Sequence, residues 1–307
     1  MSEPLLFAGL DGGNPLAFLA LLGVGLLSQS FCPGARISWI QGEGAWRPRL
    51  HGFDGEADGF LKSLHEALAA TSSKPFEIDK KLPYLRGPFR GAMQQSQREA
   101  SSKNRRTADL LAGFGSDAYA DEKGVFADTA LRMVRSGDSA GQGLPAYALA
   151  IRQGVTVEHL RAALFSAWRY EDDGFSLRWD PVEDQRYALR WYDPSSQSNK
   201  KTSLQTMRGA NVLALESLAL LPVQPQTHGV ATTAFARLER RRDFFTWPIW
   251  DARITLDTIR SLLASSDLAE KMPNRDALRA RGVVEVYRSE RIAPNKYYKN
   301  FTLAHPA

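Results

Sequence analysis

Gly9-Leu-Asp-Gly-Gly-Asn-Pro15-Leu-Ala-Phe-Leu-Ala-Leu-Leu-Gly23-Val-Gly-Leu-Leu27 joins a glycine-rich turn to the most apolar run of the chain. Asn14 is a good N-cap, because its side-chain oxygen accepts from the free N–H groups at a helix start. Pro15 suits the first helical position, where its missing N–H costs nothing. From Leu16 to Leu27 the run is apolar on nearly every side, which predicts a helix buried all round rather than one with a wet face. The first part of the fold is expected to pack around it. As a membrane anchor the run is too short, is broken by Gly23 and Gly25, and follows no basic residue.

The totals agree with a packed core. A chain of 307 residues has room for one large domain or two ordinary ones, and 43% apolar with 24% charged residues are ordinary globular values. Lys and Arg number 39 against 34 Asp and Glu, a net charge of +5 that is compatible with nucleic acid. Cys32 is the sole cysteine, so no internal disulfide and no cysteine-based zinc site can form, which fits a reducing cytoplasm.

Outward from the opening stretch, Leu5–Ala8 reads as a short strand feeding the turn. Arg36–Ile40 and Trp46–Leu50 bracket a Gln-Gly-Glu-Gly hairpin signal, and Ala57–Ala70 has the apolar spacing of an amphipathic helix. The character then changes. Between Arg86 and Arg106 stand six basic residues (Arg86, Arg90, Arg98, Lys103, Arg105, Arg106) and one acid, Glu99, a local +5 on a polar loop or helix face. Val125–Val134 reads as a strand or short helix, and Thr156 caps a helix expected over Val157–Trp168. Ser176–Trp179 and Tyr187–Trp191 alternate as strands do, Ser195–Thr202 is a polar loop, and Asn211 opens a second buried helix ended by Pro222. Ala231–Leu238 and Asp243–Trp247 read as strands around Arg240, Arg241 and Arg242. Thr255–Ala264 is an amphipathic helix, and Ala277–Ala280 closes a shorter one. Val283–Ser289 with Lys296–Leu303 forms a terminal hairpin carrying Arg288, Arg291, Lys296 and Lys299 among tyrosines. The expected fold is α+β, with mixed, largely antiparallel sheets and two buried apolar helices. It divides into residues 1–155 and 156–307, or runs as one continuous domain.

Catalytic chemistry finds little here. Neither glycine-rich turn, at Gly9–Asn14 or Ser136–Gly143, is a P-loop or a dinucleotide fingerprint. The five histidines (His51, His65, His159, His228, His305) show no metal-binding spacing. Acids gather at Glu171-Asp-Asp173 and at Asp180, Glu183 and Asp184. A metal-dependent nuclease is one alternative for Asp180 or Asp184, but Asp in such Pro- and Gly-flanked turns is favoured for backbone hydrogen bonding. The expectation is no catalytic residue, no metal and no cofactor. Three basic clusters, the last interleaved with aromatic rings, point instead to nucleic acid. They place phosphate contacts on Arg86, Arg90, Lys103, Arg105, Arg106, Arg240, Arg241, Arg242, Arg288, Arg291, Lys296 and Lys299. A protein-docking adaptor whose basic clusters meet acidic partner surfaces is the other alternative.

The opening stretch also resembles that of protein subunits from type I-G (formerly I-U) CRISPR systems. The resemblance continues through Leu160-Arg-Ala-Ala-Leu-Phe, Trp168-Arg-Tyr-Glu-Asp172, Ser176-Leu-Arg-Trp-Asp-Pro181 and Arg186-Tyr-Ala-Leu189. It extends through Arg208–Pro222, Phe245-Thr-Trp-Pro-Ile-Trp250 and Tyr287-Arg-Ser-Glu-Arg291. It is carried by the order of the motifs along most of the chain. Within that group the chain is similar to the short large-subunit-like proteins and to the extension family associated with the helicase-nuclease. This implies a cytoplasmic, non-enzymatic subunit of an antiviral DNA-targeting complex. Such a subunit would contact guide or target DNA or RNA, near the protospacer-adjacent motif among other places, or dock the helicase-nuclease. No catalytic motif is carried over.

Overall fold

The computed structural model describes residues 3–42, 44–101, 104–133, 143–172, 176–183, 206–238, 242–295 and 298–307. The fold is α+β, with small antiparallel sheets around two buried helices. Helix α1 (Pro15–Ser28) carries no charge and is buried along its whole length except at Leu26. Asn14 caps it as its position predicts: Oδ1 accepts from the N–H groups of Leu16 (2.8 Å) and Ala17 (3.2 Å). With a fully buried leucine contributing roughly 1.5–3 kcal/mol, a helix of this composition has nowhere to go but inside.

The strands β1 (Leu5–Leu6), β2 (Arg36–Gly42) and β3 (Ala45–His51) form one sheet in the order β1-β3-β2. After α2 (Ala57–Ala69), the basic segment is helical: α3 (Arg86–Glu99) buries only Phe89 and Ser96, and α4 (Arg106–Phe114) turns inward. A hairpin of β4 (Gly115–Ala120) and β5 (Phe126–Asp128) follows, then α5 (Leu144–Arg152) and α6 (Val157–Phe165). Thr156 caps α6 as expected, in a reciprocal box with His159. Helix α7 (Arg208–Glu216) and the 3-10 turn Ser217–Leu220 are wholly buried apart from Arg208. The strands β6 (Val223–Pro225) and β7 (Val230–Thr232) pair with each other. The last sheet runs β11-β10-β9-β8, from β8 (Phe235–Leu238), β9 (Arg242–Trp250), β10 (Val283–Asn295) and β11 (Tyr298–Phe301), with β12 (His305–Pro306) also on β10. Between β9 and β10 lie α8 (Leu256–Leu263), α9 (Ser266–Ala269) and α10 (Arg275–Arg279). The terminal hairpin forms as read, with Arg291 opposite Phe301, although β10 is longer than expected.

Helices α1 and α7 pack directly on each other, and the contact explains Gly23. A Cβ there would lie 1.8 Å from the carbonyl oxygen of Leu213, so only glycine lets the two backbones meet. On the other side of α1, the Phe18 ring lies 5.8–6.4 Å from Trp39, Phe245, Trp247 and Trp250, which joins both larger sheets to the helix. Two of the buried indoles find a main-chain acceptor: Trp247 donates to Gly12 O (2.8 Å) and Trp250 to Ile37 O (2.9 Å). One hydrophobic core thus draws on residues from both sides of position 155. Among the described residues no helix is long and apolar enough to cross a membrane.

Two readings need correction. Asn211 is not a cap, because α7 begins earlier, at Arg208. Asn211 is fully buried within the helix, where its Nδ2 donates to Thr206 Oγ1 and Met207 O and its Oδ1 accepts from Leu177 N. Ser176–Trp179 is not a strand. That segment is held by Asn211 and by the Trp179 indole donating to Leu131 O, contacts with no sequence periodicity. Tyr187–Trp191 and Ser195–Thr202 lie outside the described residues.

Candidate nucleic-acid interface

Among the described residues, the basic residues read from the sequence are engaged in different ways. Arg86 and Arg90 are exposed on α3, and Arg90 is paired with Asp117 at 2.5 Å. At the start of α4, Arg105 holds Asp109 through two hydrogen bonds of 2.8 and 3.0 Å. Arg106 turns into the protein instead. Its guanidinium grips Glu216 with two bonds of 2.5 and 2.6 Å, and Arg152 adds a third to the same carboxylate at 2.9 Å. Glu216 is 2% exposed, so this is a buried carboxylate clamped by two guanidiniums at the meeting of α4, α5 and α7.

At the C-terminal sheet Arg242 is exposed but pairs with Glu290 at 2.9 Å, above the Phe244 ring. Arg288 spends its donors on Thr246 Oγ1 and on the carbonyls of Leu268, Glu270 and Lys271, closing the end of α9. Arg291 is almost buried, 3.5 Å from Asp243 and donating to Arg132 O. Lys103, Arg240, Arg241 and Lys296 lie outside the described residues. Clustering along the chain does not reveal which guanidiniums the fold itself uses, because arginine's five donors suit main-chain carbonyls and buried carboxylates as well as they suit phosphate.

Lys299 sits half-buried near Arg132 and Arg291, and desolvation first, then those two charges, bring its ammonium down from 10.5 to about 8. Between pH 8 and 10.5 the unfolded chain binds the proton more fully than the folded one, so stability rises with pH across that window through this group. Denaturation midpoints from about pH 7.5 to about 9.5 are expected to rise in the wild type relative to Lys299→Met. Parallel slopes for the two proteins would remove Lys299 as the cause.

A different basic surface emerges from the pairing of β1, β2 and β3. The register sets Arg36 against His51, Ser38 against Arg49, and Ile40 against Arg47, with Leu6 on the other side of Arg49. Side chains alternate across a strand, and Ile37, Trp39 and Leu50 point to the core, so these partners share the opposite face, on which Ser38 is itself buried. A bridge between Ile37 and Ile254 lays Arg253 alongside. There Arg253 and Arg49, after burial, push the His51 imidazole below its usual 6.5. His51 meets Ser38 Oγ at 2.8 Å. Among the described residues Arg36, Arg47, Arg49 and Arg253 take no part in an ion pair, and the buried Nε of Arg49 has no acceptor. None of the outward positions of these strands carries an acid. The signal was present in Arg47-Pro-Arg49-Leu-His51, whose period of two places all three on one side of a strand.

This face runs into a cleft of about 680 Å³ lined by Leu6, Asp11, Asn14, Ile40, Arg47 and Trp168. The opening glycine-rich turn forms one wall. Gly12 is glycine because a Cβ would lie 2.8 Å from that of Trp46. The helix start is already capped by Asn14, and the Asn14 Nδ2 donates to Asp180 at 3.0 Å. Asp180 is fully buried and also accepts from the Tyr170 hydroxyl (2.8 Å) and Val182 N (3.0 Å), so both of its oxygens serve the fold. Asp184 lies outside the described residues, as does the second glycine-rich turn apart from Gly143. Among the described residues no three His, Cys, Asp or Glu side chains converge to hold a metal. No protein-family profile matches the chain, and no curated protein matches it.

Proposed function

We propose that this protein is a non-catalytic, nucleic-acid-associated subunit of a type I-G CRISPR antiviral system. In this reading it acts in the cytoplasm, beside other effector subunits or the helicase-nuclease, on guide or target nucleic acid. The observation that carries the nucleic-acid part is the outward face of the β1-β3-β2 sheet. Four arginines stand there without a carboxylate partner among the described residues, an arrangement that leaves their charge for an external anion. The order of motifs from Gly9 to Arg291 supports the placement in that system.

Replacing Arg36, Arg49 and Arg253 together by Ala is expected to weaken binding of a labelled oligonucleotide. It should also lower the slope of log affinity against log salt by about 0.7–0.9 for each phosphate that is no longer neutralised. Fluorescence anisotropy across a salt series measures both quantities. The exposed pair Arg86→Ala/Arg90→Ala provides the comparison from α3. Unchanged affinity and slope in both variants, with the wild type binding, would move the interface elsewhere; no binding by the wild type favours the docking adaptor.

A further inference from the structure

Resting on the nucleic-acid reading, we infer that the ligand is single-stranded and that its bases enter the cleft between the opening turn, the end of β2 and Trp168, while its phosphates follow the arginines of the sheet face. The cleft and the face share Arg47, so a strand leaving one meets the other without a break. Their chemistries differ along that path. Among the described residues, the strands of the face offer guanidinium groups and no acid, which suits a phosphodiester backbone. Toward the cleft the surface becomes apolar, with Leu6 44% and Ile40 40% exposed beside the Trp168 ring.

Large apolar side chains set among arginines give a backbone-only ligand nothing to bury, whereas an unstacked base has two apolar faces to cover. Asp11 and Gln41 also line the cleft. A carboxylate there repels phosphate but accepts from the N–H groups of a base edge; Oδ1 of Asp11 already takes the Gly13 N–H at 2.8 Å and a carboxylate has capacity for more. The volume, about 680 Å³, lies in the range of small-molecule sites and has room for a nucleotide. The Trp168 indole N–H is committed to Ala163 O at 2.9 Å, which fixes the ring in place. A duplex keeps its bases stacked and paired, so it would reach the arginines and leave the cleft empty.

The test uses the full chain and three fluorescent probes of about twelve nucleotides: a single strand of thymidylate, the same strand with abasic sites through its centre, and a duplex. Anisotropy titration at one salt concentration is expected to show the single strand binding at least about 10-fold tighter than the abasic strand and the duplex. Ile40→Ala, which removes exposed apolar surface without adding charge beside Arg47, should lower the affinity of the single strand toward that of the abasic strand. Equal binding of intact and abasic strands, or duplex binding as tight as single-strand binding, overturns the inference and leaves the nucleic-acid reading standing. Failure of the wild type to bind any of the three probes overturns both.

Discussion

Replacing Glu216 by Ala is expected to destabilise the protein by about 3–5 kcal/mol, because it leaves two guanidinium groups inside the fold without their counter-charge. Glu216 closes α7, and its carboxylate accepts from Arg106 and Arg152. Those arginines reach further, Arg152 to the carbonyl and hydroxyl of Thr71 and Arg106 to the carbonyl of Ser72, so one carboxylate organises α4, α5, α7 and the end of α2. Burial lowers the pKa of Arg152, and Glu216 is the group that counters this.

Against a total stability of roughly 5–15 kcal/mol, such a loss is large. Urea denaturation of the variant should show a strongly reduced midpoint at an unchanged slope. Replacing the trio by apolar residues of similar size should recover most of the loss, since it removes the desolvated charges together with their partner. A loss below about 1 kcal/mol for Glu216→Ala would place the cluster in contact with water, where paired charges contribute little. The same geometry bears on the choice of variants for binding studies. Arg106→Ala mixes any effect on a ligand with damage to the core, whereas Arg36, Arg49 and Arg253 are held by no such carboxylate among the described residues.

Gly23→Ala should cost about 3 kcal/mol or more, in spite of the roughly 1 kcal/mol by which Ala is favoured over Gly within a helix. The added Cβ meets main chain, the Leu213 carbonyl, which cannot rotate aside as a side chain would. Helices α1 and α7 must then separate, and both are buried almost throughout, so a shift at their contact loosens the packing of the whole core. Overpacking of this kind typically costs about 1–3 kcal/mol, and backbone contacts lie at or beyond the upper end. Gly59→Ala in α2 is the control. Its Cβ would meet nothing within 4 Å and the site is exposed, so propensity alone acts. A gain of about 0.5–1 kcal/mol is expected there. If both substitutions stabilise the protein, the close approach of the two backbones is wrong.

Much of the architecture was legible because it is local. The cap at Asn14, the burial of Leu16–Leu27, the hairpin at β2 and β3, the cap at Thr156 and the final hairpin each follow from residues a few positions apart. What was missed depended on distant partners. Asn211 resembles a cap in sequence, but Leu177 and Thr206 make it an interior bracket. Ser176–Trp179 alternates like a strand, but a strand needs a neighbour, and this segment finds the Asn211 side chain and the Leu131 carbonyl instead.

The candidate interface divides in the same way. Runs of basic residues are visible in any sequence, whereas their counter-charges are not. Arg106, Arg288 and Arg291 therefore read as ligand contacts although Glu216, three main-chain carbonyls and Asp243 hold them. Arg36, Arg47, Arg49 and Arg253 form no run, and only strand register brings them together. By itself the sequence determined the two buried helices, the α+β class and the opening turn, through composition, capping and periodicity. Tertiary structure alone decided which charges are neutralised inside the protein and which face out, because that depends on pairing across tens to hundreds of residues.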